Sequence, residues 1–311
     1  MTKYGEWAGW YRDSIAEFVL EHLNSTWPAT DKKNPKFIYH YTTPYGFEGI
    51  LRQNAIRATS IATLNDSDEL IFAASIFKSE LDHQRGISKS PRFKALLTSI
   101  LARFESRIST EFSSKFVTSF SLDPDDLSQW RGYGGDEGGF SLGLKPNLVS
   151  KILEKRKSTD IRYTFSPIIY GEKPLIRVIR QFLKLIKPCF LADGRAYADR
   201  TNLLIKIWTD EVFRSLSILG PLAKNDHFRS ENEWRIVASS SNLDDVSFFP
   251  KTSVLSSYVD IPGIRTAIGE IRVGPGRFSP LNVQSAKLIA RKYDLNNVDI
   301  FSSNATYRVV R

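Results

Sequence analysis

RSENEWRIV, residues Arg229–Val237, reads as the mouth of a β-strand. Side chains alternate across a strand, so Glu231, Glu233 and Arg235 are expected on one face, while Trp234 and Ile236 point the other way into a core. Two carboxylates then lie side by side. Like charges at that spacing repel and raise one another's pKa, an arrangement with little structural use unless a cation or a hydroxyl lies between them. The structural alternative is a set of ion pairs: Glu231 with Arg229 or Arg235 at the strand end, and Glu233 beneath a loop.

Bulk properties bound the choice. The chain has 311 residues, 41% apolar and a quarter charged, enough core-forming material for one large domain or two small ones. Its first residues, MTKYGEWAGWYRD, lack an apolar h-region, and no later stretch approaches the ~18 apolar residues of a membrane span. A single cysteine, Cys189, excludes an internal disulfide, and neither CxxC nor HxxxH spacing is present. A protein of the reducing cytoplasm, with no membrane attachment and no metal, is the expectation.

The net charge of +9 is local. Between Lys145 and Asp210 stand fourteen Lys/Arg and six Asp/Glu, a surplus of eight. Within this region PLIRVIRQFLKLIKP predicts a helix with Leu175, Val178, Ile179, Phe182 and Ile186 on one stripe and Arg177, Arg180, Lys184 and Lys187 on another. Such a face attracts phosphates, or is simply the solvated side of a basic protein.

No repeat, low-complexity tract or long linker interrupts the chain. An aromatic-rich helix is expected over 6–23, followed by a connector to Pro35. KFIYHYT, a helix around Phe47–Gln53 and Ala55–Thr59 give a strand, helix, strand opening. Two helices follow, the first with a capping box of Asp66 and Glu69. Strands are expected at KFVTSFS, GFSLGL and RYTFSPIIY, then helices over 175–187 and 197–216, then EWRIVASS, IGEIRVG, the helix LNVQSAKLIARKY and a last strand at YRVV. Strands and helices interleave without the alternation of a doubly wound sheet, so the fold class is α+β. The organisation is an N-terminal helical extension over 1–35 and a single domain over 36–311, with a basic helical insertion at about 172–225.

Candidate chemistry is sparse in any one motif. His40 in IYHYT shares a face with Ile38 and Thr42 and is either a structural or a functional histidine. In KFVTSFS, Ser119 and Ser121 share a face with Val117, opposite Phe116, Thr118 and Phe120. SQWRGYGGDEGGF attaches Trp130, Arg131 and Tyr133 to a loop with the backbone freedom of glycine, but its spacing is no dinucleotide fingerprint. VGPG at 273–276 is a turn after a strand. Asp66 and Glu69 cap a helix or hold a metal. No GxSxG elbow supports a serine hydrolase.

The order IYHYT, ATSIATLNDSDE, FVTSFS with SQWRGY and a Gly-Phe strand, ENEWRIV, and EIRVGPG resembles a large bacterial family of uncharacterised domains, from about Phe37 to the end. That family looks like a remote branch of the ADP-ribosyltransferases. The resemblance implies a split, mixed β-sheet with surrounding helices and NAD held in a central cleft. It implies that Glu233 binds a ribose 2′-hydroxyl and steadies the positive charge that develops as nicotinamide leaves. Glu231 would position or deprotonate the acceptor. His40, with its neighbours Tyr41 and Thr42, would contact the ribose or nicotinamide side of NAD, and Ser119 and Ser121 would brace the glutamate. Tyr133, Trp130 or Phe120 would stack on nicotinamide. The implied activity is mono-ADP-ribosyl transfer, in a toxin or phage-defence effector with a nucleic-acid acceptor (RNA or DNA) and an antitoxin partner. Two other readings stand beside it: a relative of the fold that binds nucleotide or nucleic acid without catalysis, and a metal-dependent nuclease using Asp66, Glu69, Glu231 and Glu233.

Overall fold

The computed structural model describes residues 35–63, 67–135, 138–156, 161–196, 200–240, 242–251 and 253–305. The expected N-terminal extension, Asp66 of the capping box and the strand at YRVV lie outside them, as does the side chain of Glu69. In chain order the elements are β1 (Ile38–Thr42), α1 (Pro44–Gln53), β2 (Ala55–Ser60), α2 (Ser67–Ile87), α3 (Pro91–Ser113), β3 (Lys115–Ser121), α4 (Leu127–Tyr133), β4 (Phe140–Leu144) and α5 (Pro146–Glu154). They continue with β5 (Arg162–Pro167), β6 (Ile169–Tyr170), α6 (Glu172–Ala196), α7 (Thr201–Leu219), β7 (Ala223–Lys224), β8 (Glu233–Ser239), β9 (Ser247–Pro250), β10 (Leu255–Pro262), β11 (Ile268–Val273), α8 (Ser279–Lys292) and β12 (Asp299–Ser302). The chain is a mixed α/β protein.

Two compact units divide it. One takes Ile61–Lys115 and Ile168–Phe228, and so joins the basic segment 172–225 to the earlier helices α2 and α3. Its core is formed by Phe77, Leu81, Leu97, Phe104, Ile179, Phe182, Phe213 and Leu216, drawn from α2, α3, α6 and α7. The stripe expected on α6 is where the sequence placed it: Leu175, Val178, Ile179, Phe182 and Ile186 are all buried. The helix does not stop at Pro188, as a proline inside a helical pattern suggests. It runs on to Ala196. Phe190 is buried and packs edge-on against Trp208, whose indole donates to Asp193 at 3.1 Å, so tertiary contacts offset the lost backbone bond.

The other unit carries the large sheet, with the strand order β12-β11-β4-β1-β3-β2-β10-β9 and a branch in which β8 joins β3 and β5 joins β8. The β11–β12 pair is parallel and its neighbours are antiparallel, so the sheet is mixed. Full ladders hold β1 to β4 and β5 to β8. Between β1 and β3, in contrast, Tyr39 stands opposite Ser121. RYTFSPIIY is not one strand: it breaks after Pro167, and Ile169–Tyr170 pairs in parallel with β7 in a separate two-stranded sheet. Proline has no N–H for a ladder, which accounts for the break.

The two faces of the large sheet differ in chemistry. Ile38, Phe116, Phe120, Leu142, Ile236, Val259 and Ile271 lie in one apolar core with Phe47, Val149 and Ala286 of the flanking helices. Alternation sends Tyr39, Tyr41, Ser119, Ser121, Ser141, Glu233, Arg235, Glu270 and Arg272 to the opposite face.

Candidate functional site

The opening stretch folds differently from its simplest reading. β8 starts at Glu233, and Glu231 closes a 3-10 turn over Asp226–Glu231. Between them Asn232 has φ +45°, the left-handed region, which re-aims the chain by one residue. Glu231 therefore leaves the strand face that it was expected to share with Glu233 and Arg235. The turn is tied to the end of β3: the Ser121 hydroxyl donates to the Glu231 carbonyl at 2.9 Å, and the Leu122 N–H donates to the Asn232 carbonyl at 3.1 Å. Ser121 thus holds the backbone of the turn that precedes β8.

Glu233 and Arg235 do share a face, two residues apart. The guanidinium grips the carboxylate in two places, Nε to Oε1 at 2.5 Å and Nη2 to Oε2 at 3.2 Å, with the side chains 5% and 3% exposed. Such a bidentate pair fixes the carboxylate in one rotamer.

His40 stands on β1 where β1 and β3 part. Its Nδ1 lies 3.1 Å from the Ser119 carbonyl, so Nδ1 carries the proton and Nε2 presents a lone pair. Burial depresses the imidazole pKa, only partly offset by that carbonyl, which keeps the ring neutral. The ring lies 5.8 Å from Phe120, on the apolar side of the sheet. His40 and Glu233 accordingly project from opposite sides of the sheet, while Ser119, Ser121 and Glu233 project from the same one.

The remaining candidates are distributed around this point. Tyr41 is buried, its hydroxyl donating to the Asp123 carbonyl at 2.7 Å and accepting from the Asp126 N–H at 3.0 Å; burial raises its pKa. Trp130 is 2% exposed, edge-on to Tyr41 at 4.6 Å, and donates to Asp125 at 2.8 Å. Its ring is committed to packing. Tyr133, at the end of α4, is 53% exposed. Thr42 is half-buried beside Gly46, where an added Cβ would meet its hydroxyl. Just past β1, Thr43, Pro44, Gly134, Gly135, Gly138, Phe278, Leu281 and Asn282 line a cavity of about 430 Å³.

Two features were not singled out in the sequence. DPDD at 123–126 caps α4 through Asp126, and Asp125 accepts from Trp130, from Ser303 Oγ at 2.5 Å and from the Asn304 N–H at 2.8 Å. EIR in β11 repeats the spacing of EWR in β8: Arg272 Nε lies 2.5 Å from Glu270, and Glu270 also receives the Tyr39 hydroxyl at 3.4 Å. With burial as the main cause and Glu270 adding to it, the Tyr39 pKa is pushed up to about 12. The second Glu-x-Arg was visible in the sequence to anyone comparing the two strands.

Among the described residues no three His, Cys, Asp or Glu side chains converge as a metal site, and no helix is long and apolar enough to cross a membrane. No curated protein and no solved structure matches the chain. Residues 129–236, from α4 into β8, match the family model described as "Protein of unknown function (DUF2971)", so that this stretch, with Trp130, Tyr133, Glu231 and Glu233 inside it, is similar to an uncharacterised domain family.

Proposed function

We propose that the protein is an NAD-dependent mono-ADP-ribosyltransferase with an ADP-ribosyltransferase-like split sheet, and that its site lies where β1, β3 and β8 meet. One observation carries the reading. His40, the serines 119 and 121, and Glu233 come from three distant stretches, yet they arrive on strands joined directly through β3, at the place where β1 and β3 are held by the bridge Tyr39↔Ser121. The residue types fit a dinucleotide's ribose. A neutral imidazole accepts from a hydroxyl through Nε2 on one side of the sheet, and a carboxylate accepts from hydroxyls on the other.

NAD would supply an ADP-ribosyl group on nicotinamide, a leaving group that departs neutral with the bonding electron pair. The chain's part is positioning and charge. Glu233, held by Arg235, receives the ribose 2′-hydroxyl and stabilises the positive charge of the transition state. Glu231 takes the proton of the attacking acceptor. Tyr133 is the exposed aromatic of the three considered for stacking, since Trp130 and Phe120 are 2% and 1% exposed. Modification of a cell's own macromolecules suits a toxin or phage-defence effector, with an antitoxin partner to restrain it.

A second reading is favoured by a specific observation. Glu233 is 5% exposed inside an arginine pair, and His40 faces the apolar side, as expected of a relative that binds a nucleotide without turning it over. Brief expression followed by mass spectrometry of cellular RNA, DNA and protein separates the two. The transferase adds an ADP-ribose mass to one class. NAD bound in calorimetry with no added mass anywhere would establish the second reading in its place.

A further inference from the structure

The first unit presents an exposed basic face. On α6, Lys173, Arg177, Arg180 and Lys184 recur at spacings of four, three and four residues, and all four are exposed. At 1.5 Å per residue the row is about 16 Å long. Arg180 is engaged by the buried Glu80 of α2 at 2.8 and 3.0 Å, which fixes the middle of the row. Lys187 continues it and lies 5.3 Å over the ring of Phe93, at the start of α3, where Arg92 donates to the Gly194 carbonyl. The surface therefore spans two helices and is held in shape by three contacts.

We propose that this face of α6 and the start of α3 docks the phosphate backbone of a nucleic acid. This rests on the transferase reading only in making that nucleic acid the acceptor; the docking itself needs no NAD. A regular row of cations on a rigid helix suits a polyanion with evenly spaced charges, because neutralising each phosphate releases condensed counterions. An anionic membrane fits less well. A surface helix that enters a bilayer needs apolar side chains beside its cations. Here the apolar stripe of α6 is consumed by the core, and none of the exposed large apolar residues of this unit, Ile71, Ile87, Leu203 and Phe228, belongs to α6.

The test is binding of the full chain to a labelled 20-mer, as single-stranded RNA and as duplex DNA, across a salt series without NAD. The variant K173Q/R177Q/K184Q is compared with wild type; Gln keeps helix propensity, and Arg180 is left alone because it partners Glu80. Each phosphate contact contributes about 0.7 to 0.9 to the slope of log affinity against log salt, so the variant should lose roughly two to three from that slope and at least about tenfold in affinity near 0.1 M salt. Its nicotinamide release without nucleic acid should equal that of wild type, and Glu233→Gln should bind the 20-mers as wild type does. Failure of docking and failure of the transferase reading are then separate results. Equal affinity and slope for the triple variant and wild type would overturn the proposal. Binding to vesicles of anionic phospholipid with none to either 20-mer would overturn it too.

Discussion

Glu233 and Arg235 illustrate how a single pair can serve both stability and chemistry. Burying two charges is costly, and their mutual attraction with good geometry offsets that cost; removing one partner takes a counter-charge away from a buried site. Arg235→Gln is therefore expected to lower the unfolding free energy by about 3 kcal/mol, read from a denaturant midpoint with an unchanged m-value. An equally stable variant would show that the pair is not what holds the start of β8. Glu233→Gln destabilises for the same reason, contrary to the expectation for a glutamate in an open cleft, so its activity has to be measured below its own unfolding temperature. His40 gives a pH signature. Its folded pKa is below the ordinary 6.5, so between the two values the unfolded chain binds the proton and the folded chain does not. Stability should fall as pH drops through about 6.5, and His40→Gln should flatten that slope. That Glu233 and Arg235 share a face was legible from strand alternation alone, whereas their ion pair was not, since Arg235 was the partner expected for Glu231. The departure of Glu231 was not, because it depends on one left-handed asparagine.

At the scale of elements, the glycine-rich loop and DPDD show where sequence patterns carry information and where they do not. In the loop after α4, Gly135 (φ +80°) and Gly138 (φ +99°) use the backbone freedom that glycine offers, as the sequence suggests, while Gly139 is set by space. An added Cβ at Gly139 would stand 2.5 Å from the Thr42 carbonyl and 2.5 Å from Gly134 Cα, both backbone atoms. Gly139→Ala should cost about 3 kcal/mol, at the upper end of overpacking, and a neutral result in thermal melts would mean that the loop relaxes. Asp125 fastens the residues after β12 to the loop before α4. Its carboxyl is held below the usual range by Ser303, Trp130 and the Asn304 amide against an opposing effect of burial, so its contribution is present above about pH 4 and is lost as pH falls. Asp125→Ala should speed hydrogen exchange at the Asn304 amide by at least about tenfold while leaving the α6 amides unchanged. SQWRGY turned out helical because Asp126 accepts from the Ser128 N–H, a cap that the following glycines obscured. β9, β10 and β12 escaped notice since their mixed exposed patterns carry no clean alternation.

For the whole molecule, periodicity identified most of the strands and helices that build both cores; β10, which supplies Val259 and Ile261, is the exception. Periodicity did not identify their partition into two units. α2 and α3 belong with α6 and α7 although some fifty residues of sheet stand between them, and such grouping depends on long-range packing that no local window contains. The same applies to the site. Alternation along β1 and β3 assigned His40 and the serines to faces of their own strands, but which faces coincide follows from the register Tyr39↔Ser121. That register brings the candidate residues to one junction and divides them between its sides. The most direct measurement is the release of nicotinamide from NAD by the folded wild-type chain, compared with Glu233→Gln and His40→Ala. The transferase reading predicts steady release by wild type, loss of at least about a hundredfold in Glu233→Gln, and a smaller loss in His40→Ala. No release by wild type in the presence of RNA, DNA and protein acceptors, or undiminished release by Glu233→Gln, would contradict it.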